Sequence, residues 1–367
     1  MKKYIFTNFV FTRPKKYKIL FYDDVNSLLI KKKLNEKDYS TLHVRGEKLN
    51  IMVLIKMFLN FKFNSKNYIY HYIKCVQPKI VITCIDNDYN FYTLKEKFPR
   101  IIFIAIQGGY RNQHNDFFTK LKSLKKNKKL QKLKADYIFL YGSAINAEYL
   151  RYIKFKSIFL GSYRNNSIPI IKNKEKKNTA LFISSFRQRA YLQNNEYFRI
   201  EEKLLPLVQS FCSKYNLKFS IIGFNRVNRH IEKNYFSKIL SKNNLSFIKR
   251  KSLLSNFKIV DKHELIIFVD STLGYESIAR NKKIAAFCGR KNNNFGPKEI
   301  FSWAQKLKKK GFFYSDLVSK KEVFRVLKNV TSISKTKWRK NYSKIFEEIM
   351  NFDLNNKKLF NIIKKHT

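Results

Sequence analysis

The sequence predicts an α/β protein with two doubly wound domains, each built on a parallel sheet. Short apolar segments typical of buried strands alternate with amphipathic helical segments, which is the pattern of strands joined by crossover helices. The 367 residues also exceed the usual size of one domain. Because a charged stretch at 172–178 divides the series, we predict domains at 1–174 and 175–335, with a C-terminal helix within 336–367.

The individual elements follow from the spacing of apolar residues. Strands are predicted at 19–22, 79–85, 101–106, 136–141, 157–160, 180–184, 219–223, 265–269 and 283–287. Helices are predicted at 49–63, 90–98, 197–215, 235–240, 321–327 and, as one long helix that crosses back to the first domain, 338–363. The carboxyl ends of two such sheets would face a shared interdomain cleft, where open α/β folds bind ligands.

The charge of the chain predicts an anionic partner. The 76 Lys and Arg residues outnumber the 26 Asp and Glu residues and give a formal net charge of +50. Composition alone offers another explanation, since an AT-rich genome also enriches Lys, Asn and Ile. A nucleic-acid-binding protein is the alternative from a different class, but the aromatic residues lie within apolar strand segments and no nucleic-acid-binding motif is present. We therefore expect no nucleic acid.

The cysteines and the apolar segments indicate the cellular location of the protein. The four cysteines lie far apart, as expected of reduced core residues, and no apolar run approaches the roughly 18 residues of a spanning helix. We expect a cytoplasmic protein whose contact with the inner face of the inner membrane is peripheral. The basic, leucine-containing segment 120–134 suits an anionic membrane surface, and a solvated helix face is the other interpretation.

The sharpest local feature is an apolar strand that leads directly into hydroxyl residues, a glycine and a helix, at 264–280. Backbone N–H groups at such a turn favour phosphate, and nearby hydroxyls add donors. The phosphate-binding candidates are Asp270, Ser271, Thr272, Gly274 and, for sugar or ribose hydroxyls, Glu276. Spacing alone leaves open that Asp270 or Ser271 only caps an ordinary helix.

Several stretches together resemble one protein family. Residues 269–276 with 279–283, then 85–92, 98–99 and 104–111, are similar to bacterial surface-carbohydrate and O-antigen biosynthesis proteins of the GT-B type, with weaker similarity at 135–137, 161–166, 184–187 and 311–313. The resemblance implies a GT-B-like fold and a metal-independent glycosyltransferase without a cofactor. It implies a nucleotide-sugar donor and a glycan or lipid-linked acceptor, with an epimerase or a polyol-phosphate transferase as alternatives on the same fold.

Strand ends in the first domain supply acceptor-side candidates. Asp86 and Asp88 follow a strand, and the residues alone favour a turn there, whereas the resemblance favours a general base that deprotonates the acceptor. The next strand leads to a second group of candidates, Gln107, Gly108, Gly109 and Arg111. Glycines there allow a substrate close to the backbone, although a plain glycine turn explains them equally well.

The first strand of the second domain supplies further donor-side candidates. Ser184 and Ser185 follow it, with Arg187 nearby, and Arg250 lies beyond the next strand. Hydroxyl and guanidinium groups are suited to a leaving phosphate. Surface charge is the alternative for each arginine in so basic a chain. No metal-ligand spacing is convincing, and we expect no metal.

Overall fold

The computed structural model describes residues 8–59, 64–111, 116–171, 175–193, 199–224, 229–240, 246–250, 252, 254–288 and 310–367. Over these ranges the chain forms two six-stranded parallel sheets in separate Rossmann-like domains, and a two-stranded sheet beside the first. The predicted α/β fold class is confirmed. Residues 172–174 of the stretch proposed as the domain boundary lie outside the described residues.

The first domain runs from residue 8 to the end of its last strand. Its strands are β1 (Asn8–Val10), β2 (Ile19–Phe21), β3 (Tyr39–Thr41), β4 (Lys48–Asn50), β5 (Ile80–Thr83), β6 (Ile102–Ile106), β7 (Leu133–Leu140) and β8 (Ile153–Phe159). Its helices are α1 (Leu28–Lys31), α2 (Ile51–Leu59), α3 (Ser65–Val76), α4 (Tyr89–Leu94), α5 (Asp116–Lys126) and α6 (Asn146–Leu150). All six strands of the sheet β3-β2-β5-β6-β7-β8 are parallel. Successive strands are added on one side of β2 and then, from β5 onward, on its other side.

The second domain repeats this arrangement after the short connecting helix α7 (Tyr163–Asn166). Its strands are β9 (Lys176–Ile183), β10 (Lys218–Ile222), β11 (Phe247–Ile248), β12 (His263–Phe268), β13 (Lys283–Phe287) and β14 (Tyr314–Ser315). Its helices are α8 (Gln188–Leu192), α9 (Glu201–Lys214), α10 (Arg229–Ile239), α11 (Ser255–Asp261), α12 (Thr272–Ile278) and α13 (Lys320–Ser332). The order β11-β10-β9-β12-β13-β14 reverses between β9 and β12, the point where such sheets bind ligands.

The C-terminal segment differs from the single predicted helix. It forms two helices, α14 (Lys335–Ile349) and α15 (Lys357–His366), with an irregular segment between them. The helix is interrupted because Asn355 and Asn356 adopt left-handed conformations, with φ of 61° and 56°, which asparagine tolerates better than most residues. The break lets the chain return to the first domain, where Leu359 and Ile363 pack against Ile19 of β2 in a buried cluster.

The basic segment 120–134 also differs from its prediction as one helix. α5 ends at Lys126, Lys128 has a φ of 56°, and Leu133 begins β7. Leu121 and Leu133 are buried in the first domain, and the lysines between them are mostly exposed. The segment therefore matches the solvated-face interpretation. In the described part of the chain, no helix is long and apolar enough to cross a membrane.

The returning chain touches the first domain at Gly161, directly after β8. Gly161 has a φ of 81° and forms an antiparallel bridge with Phe352. A Cβ atom at this position would lie 1.9 Å from the carbonyl oxygen of Asn351, so a side chain does not fit. Nearby, the Nδ2 group of Asn166 donates to Oδ1 of Asn356 at 3.0 Å, which fixes the break between α14 and α15 to the first domain.

A buried ion pair joins the connecting segment to the second domain. The Nε and Nη2 groups of Arg280, directly after α12, donate to the two carboxylate oxygens of Asp261 at 2.7 and 2.5 Å. Its Nη1 group also donates to Oδ1 of Asn165 in α7 at 2.8 Å, and its Nη2 group to the carbonyl oxygen of Pro169 at 3.0 Å. Asp261 in turn accepts from the backbone N–H of Ile171.

We predict that Arg280→Ala strongly destabilises the protein, because it leaves the buried carboxylate of Asp261 without its cation. Breaking a buried pair in this way costs about 3–5 kcal/mol, which should lower the thermal unfolding midpoint by at least about 4 °C. Arg151→Ala is the control, since Arg151 is largely exposed and pairs with Glu148 on the surface. Equal midpoints for the two variants would contradict this assignment.

Candidate functional site

A cleft of about 370 Å³ lies between the two domains at the carboxyl ends of their strands. The first domain and its connecting helix contribute Gly108 and Arg164. The second domain contributes the remaining lining, which is Ser185, Arg187, Phe224, Arg250, Asn256, Phe257, Asp270, Ser271, Thr272, Leu273 and Glu276. The cleft therefore brings together eight of the residues predicted from the sequence, from four separate strand ends.

The second-domain wall is formed by the turn between β12 and α12. Ser271 occupies the N-cap position with φ and ψ of −70° and 130°, but its side chain makes no capping hydrogen bond. The hydroxyl of Ser271 is therefore not used to cap the helix, although helix capping was the alternative interpretation of this motif. The Thr272 hydroxyl accepts from the backbone N–H of Tyr110 at 3.4 Å, so this turn also contacts the first domain.

Three arginines surround this turn. An Nη2 atom of Arg164 donates to the carbonyl oxygen of Gly108 at 3.0 Å. The guanidinium of Arg187 lies 3.8 Å from a carboxylate oxygen of Asp270, and that of Arg250 lies 5.6 Å from the ring centre of Phe224. Although burial lowers the pKa of Arg164, nearby groups outweigh this effect and raise it, so the side chain remains protonated. The lining thus holds three cations and two carboxylates.

Glu276 connects the two walls. Its Oε1 atom accepts from the Ser162 hydroxyl at 2.5 Å and lies 3.7 Å from Nη2 of Arg164, and its backbone oxygen accepts from Nδ2 of Asn165. Burial raises the pKa of Glu276, and Arg164 and Ser162 oppose this shift only partly. The carboxyl group is therefore part of the contact between the domains as well as part of the cleft lining.

Asp86 is buried, and its carboxylate makes four hydrogen bonds. It accepts from Nε and Nη2 of Arg111, each at 2.9 Å, from the backbone N–H of Gly108 at 2.8 Å, and from the Tyr149 hydroxyl at 2.5 Å. Burial alone would raise the pKa of Asp86, but the charge and hydrogen bonds of Arg111 hold it below its ordinary value. Contrary to the expectation of a carboxylate facing the cleft, Asp86 faces inward and supports the loop that carries Gly108.

Other predicted residues also lie behind the cleft surface. Asp88 caps α4, as its side chain accepts from the backbone N–H of Asn90 at 2.9 Å. Gln107 is buried; its Nε2 group donates to the carbonyl oxygen of Gly109, and its Oε1 atom accepts from the backbone N–H of Tyr141. The contacts of Gln107 shape the loop after β6, whereas that of Asp88 caps α4, and none of Asp88, Gln107 and Gly109 is part of the cleft lining.

Two donor-side candidates are likewise placed behind the wall. Ser184 donates its hydroxyl to Glu232 at 2.6 Å, and Glu232 also accepts from the backbone N–H of Phe224. A Cβ atom on Gly274 would lie 2.3 Å from the ring of Phe268, so this glycine admits an aromatic ring from β12 and does not approach the cleft. Ser185, by contrast, lines the cleft and donates to Glu201.

Sequence reasoning missed Arg164 and Phe224 as cleft residues. Arg164 lies within the stretch 161–166 that has the weaker family similarity, and this similarity could have identified it as a cleft residue. Phe224 lies just after β10 among many aromatic residues and carries no such signal. A further contact unseen in the sequence is the parallel stacking of Tyr110 on Tyr275, with ring centres 3.6 Å apart. Among the described residues, no group of three or more potential metal ligands is found.

Solved structures share this architecture. A protein from Listeria monocytogenes described as "putative UDP-N-acetylglucosamine 2-epimerase" superposes with a TM-score of 0.55 at 11% identity, over 97% of each chain. The UDP-GlcNAc 2-epimerase of Methanocaldococcus jannaschii superposes with a TM-score of 0.51 at 12% identity, over 96% of this chain and 99% of that one. A chain of the GtfA/B complex has a TM-score of 0.47 at 9% identity, and the match covers 83% of this chain and 61% of that chain. At these identities the similarity to the first two structures shows the fold.

No curated protein sequence matches this chain. A family described as "putative O-antigen biosynthesis protein" does match, over residues 104–367. The match begins within β6, includes the loop that carries Gly108 and Arg111, and extends through the second domain to the end of α15. Because it covers most of the chain and both walls of the cleft, the protein belongs to this O-antigen biosynthesis family.

Proposed function

We propose that the protein is a glycosyltransferase that moves a sugar from a nucleotide-activated donor to a glycan or lipid-linked acceptor during O-antigen synthesis. The observation that carries the proposal is the arrangement of Arg164, Arg187 and Arg250 around the Ser271-Thr272 turn in the interdomain cleft. Guanidinium groups and hydroxyls are suited to a donor diphosphate, and they stabilise the negative charge that develops on the leaving group.

The donor side of the cleft follows from its second-domain wall. Ser271 offers a hydroxyl that is not used to cap α12, and Arg250 and Arg187 supply positive charge beside it. The Methanocaldococcus jannaschii epimerase was solved with UDP-GlcNAc and UDP. Because that protein shares the fold, we extend the ligand class, a nucleotide sugar, to this cleft.

The acceptor side belongs to the first domain in this proposal. Asp86 holds both Gly108 and Arg111, so we assign it as a positioning residue for the acceptor loop. A carboxylate that already accepts four hydrogen bonds and whose pKa is lowered is a weak base toward a hydroxyl group. Asp270 and Glu276 are the carboxylates among the described residues that line the cleft. We propose that Asp270, although it lies on the second-domain wall beside Arg187, contacts the acceptor hydroxyl across the cleft.

An acceptor-dependence assay tests the reaction class. The purified protein is incubated with a panel of nucleotide sugars, with and without a membrane lipid extract that supplies acceptors. A transferase should transfer the sugar to the extract and release the nucleotide in proportion. Conversion of the nucleotide sugar to an epimer without any acceptor would instead establish the alternative reaction and overturn the proposal.

We predict that Ser271→Ala combined with Thr272→Ala weakens UDP binding at least tenfold. Hydrogen bonds to a charged phosphate contribute about 1.5–3 kcal/mol each, and the double variant removes both hydroxyls. Isothermal titration with UDP measures the change. Ser237→Ala, which removes an exposed hydroxyl on α10, is the matched control and should bind UDP as the wild type does. Unchanged affinity in the double variant would remove the donor-site assignment.

We predict that Asp86→Asn reduces stability as well as turnover, because the guanidinium of Arg111 is left without its anionic partner in a buried site. The loss should be about 3 kcal/mol or more, seen as a lower thermal midpoint. The double variant Asp86→Asn/Arg111→Gln tests the assignment further, since removing both charges should recover much of the midpoint. A native midpoint in Asp86→Asn with turnover reduced 100-fold would instead indicate a general base.

A further inference from the structure

Helix α2 and the neighbouring strand β1 present an unusually apolar surface. Phe9 and Phe11 are 54% and 72% exposed, and Met52, Ile55, Phe58 and Leu59 are 40%, 48%, 70% and 74% exposed. We call these six residues the α2 surface. Single exposed apolar residues need no explanation, but several large apolar side chains on neighbouring elements mark a site of interaction.

The α2 surface is part of an ordered substructure. β1 pairs in parallel with β4, where Phe9 lies opposite Leu49, and α2 begins one residue after β4 ends. The Nδ2 group of Asn50 donates to the carbonyl oxygen of Thr12 at 2.8 Å, so the segment after Phe11 lies against the start of α2. Val53 and Met57 on the opposite face of α2 are buried in the domain core. The exposed residues are therefore held outward by a packed helix.

The charge around this surface is mostly positive, although Glu47 is exposed beside β1. Between residues 48 and 76 the sequence contains five lysines and no aspartate or glutamate. Lys48, Lys56, Lys66 and Lys74 of this stretch are exposed, and Lys56 lies on α2 itself, next to Ile55. Apolar side chains bordered by lysines suit an interface that is apolar inside and anionic at its surface, as an anionic phospholipid bilayer is.

The α2 surface and the interdomain cleft are connected through one edge of the first sheet. Arg45, just before β4, donates to Asp23 at the carboxyl end of β2. Three residues further on, the carbonyl oxygen of Asn26 accepts from the Tyr163 hydroxyl, and Tyr163 precedes the cleft residue Arg164. A membrane that touches α2 would thus lie toward the domain that we assign to the acceptor.

We propose that the α2 surface docks the protein on an anionic phospholipid bilayer, with Ile55, Phe58 and Leu59 entering the boundary between headgroups and acyl chains. The basic segment 120–134 is the competing surface, but its buried leucines leave it with lysines and few exposed apolar groups. Docking at α2 combines the electrostatic attraction between lysines and anionic lipids with the burial of apolar side chains. The proposal does not depend on the catalysed reaction, because its test measures binding without a substrate.

Vesicle flotation tests the proposal directly. The full chain is mixed with vesicles of phosphatidylcholine alone or with about one third phosphatidylglycerol, a composition in the range where basic amphipathic helices bind. The wild type should float with the anionic vesicles, and the double variant Ile55→Glu/Phe58→Glu should bind them at least tenfold more weakly. Leu150→Glu is the matched control, since Leu150 is 49% exposed on α6 and should retain wild-type binding.

Three outcomes would overturn the proposal. The first is that anionic vesicles do not retain the wild type. The second is that Lys122→Glu/Lys126→Glu in the basic segment abolishes binding while Ile55→Glu/Phe58→Glu leaves it intact. The third is that light scattering shows a dimer that only Ile55→Glu/Phe58→Glu dissociates, with vesicle binding unchanged. The last result would assign the α2 surface to a second copy of the chain. Circular dichroism and thermal midpoints equal to the wild type establish that each variant is folded.

Discussion

The geometry of the cleft depends on the buried pair between Arg280 and Asp261. Arg280 follows the helix whose first residues form the donor wall, and its remaining donors reach Asn165 and the connecting segment beyond α7. The same short stretch of chain carries Arg164 into the cleft. This guanidinium therefore fixes the segment that carries Arg164 to the helix of the donor wall, because its N–H donors point in fixed directions within one plane.

Polar residues near the strand ends divide into two groups by their hydrogen bonds. Asp86, Gln107 and Ser184 make their hydrogen bonds within the protein and shape the loops. Ser271, Arg187 and Arg250 lie on the surface of the cleft. Asp86 and Gln107 hold the first-domain loop that carries Gly108, and Ser184 holds the strand end that precedes Arg187. A binding site needs such support if its groups are to remain in place before the ligand arrives.

Much of the fold and one wall of the cleft could be predicted from the sequence. The strand at 283–287 has the predicted bounds, because five buried residues in a row leave little ambiguity. The turn at Ser271 was recognisable because strand, hydroxyls and helix are adjacent in the chain. The inward orientation of Asp86 was not predictable, since its partners Arg111 and Tyr149 lie 25 and 63 residues away. The break at Asn355 was hidden because asparagine is also compatible with a helix.

The return of the chain across the domains after α14 has a mechanical consequence. In the described residues the chain passes between the two sheets near residues 160–171 and again near 350–356, where Gly161 touches Asn351 and Phe352. Two neighbouring crossings restrict the rotation of one domain relative to the other to a single hinge axis that passes near both crossings. Opening and closing of the cleft would then be a rotation about this axis, with the contact between Gly161 and Phe352 kept in place.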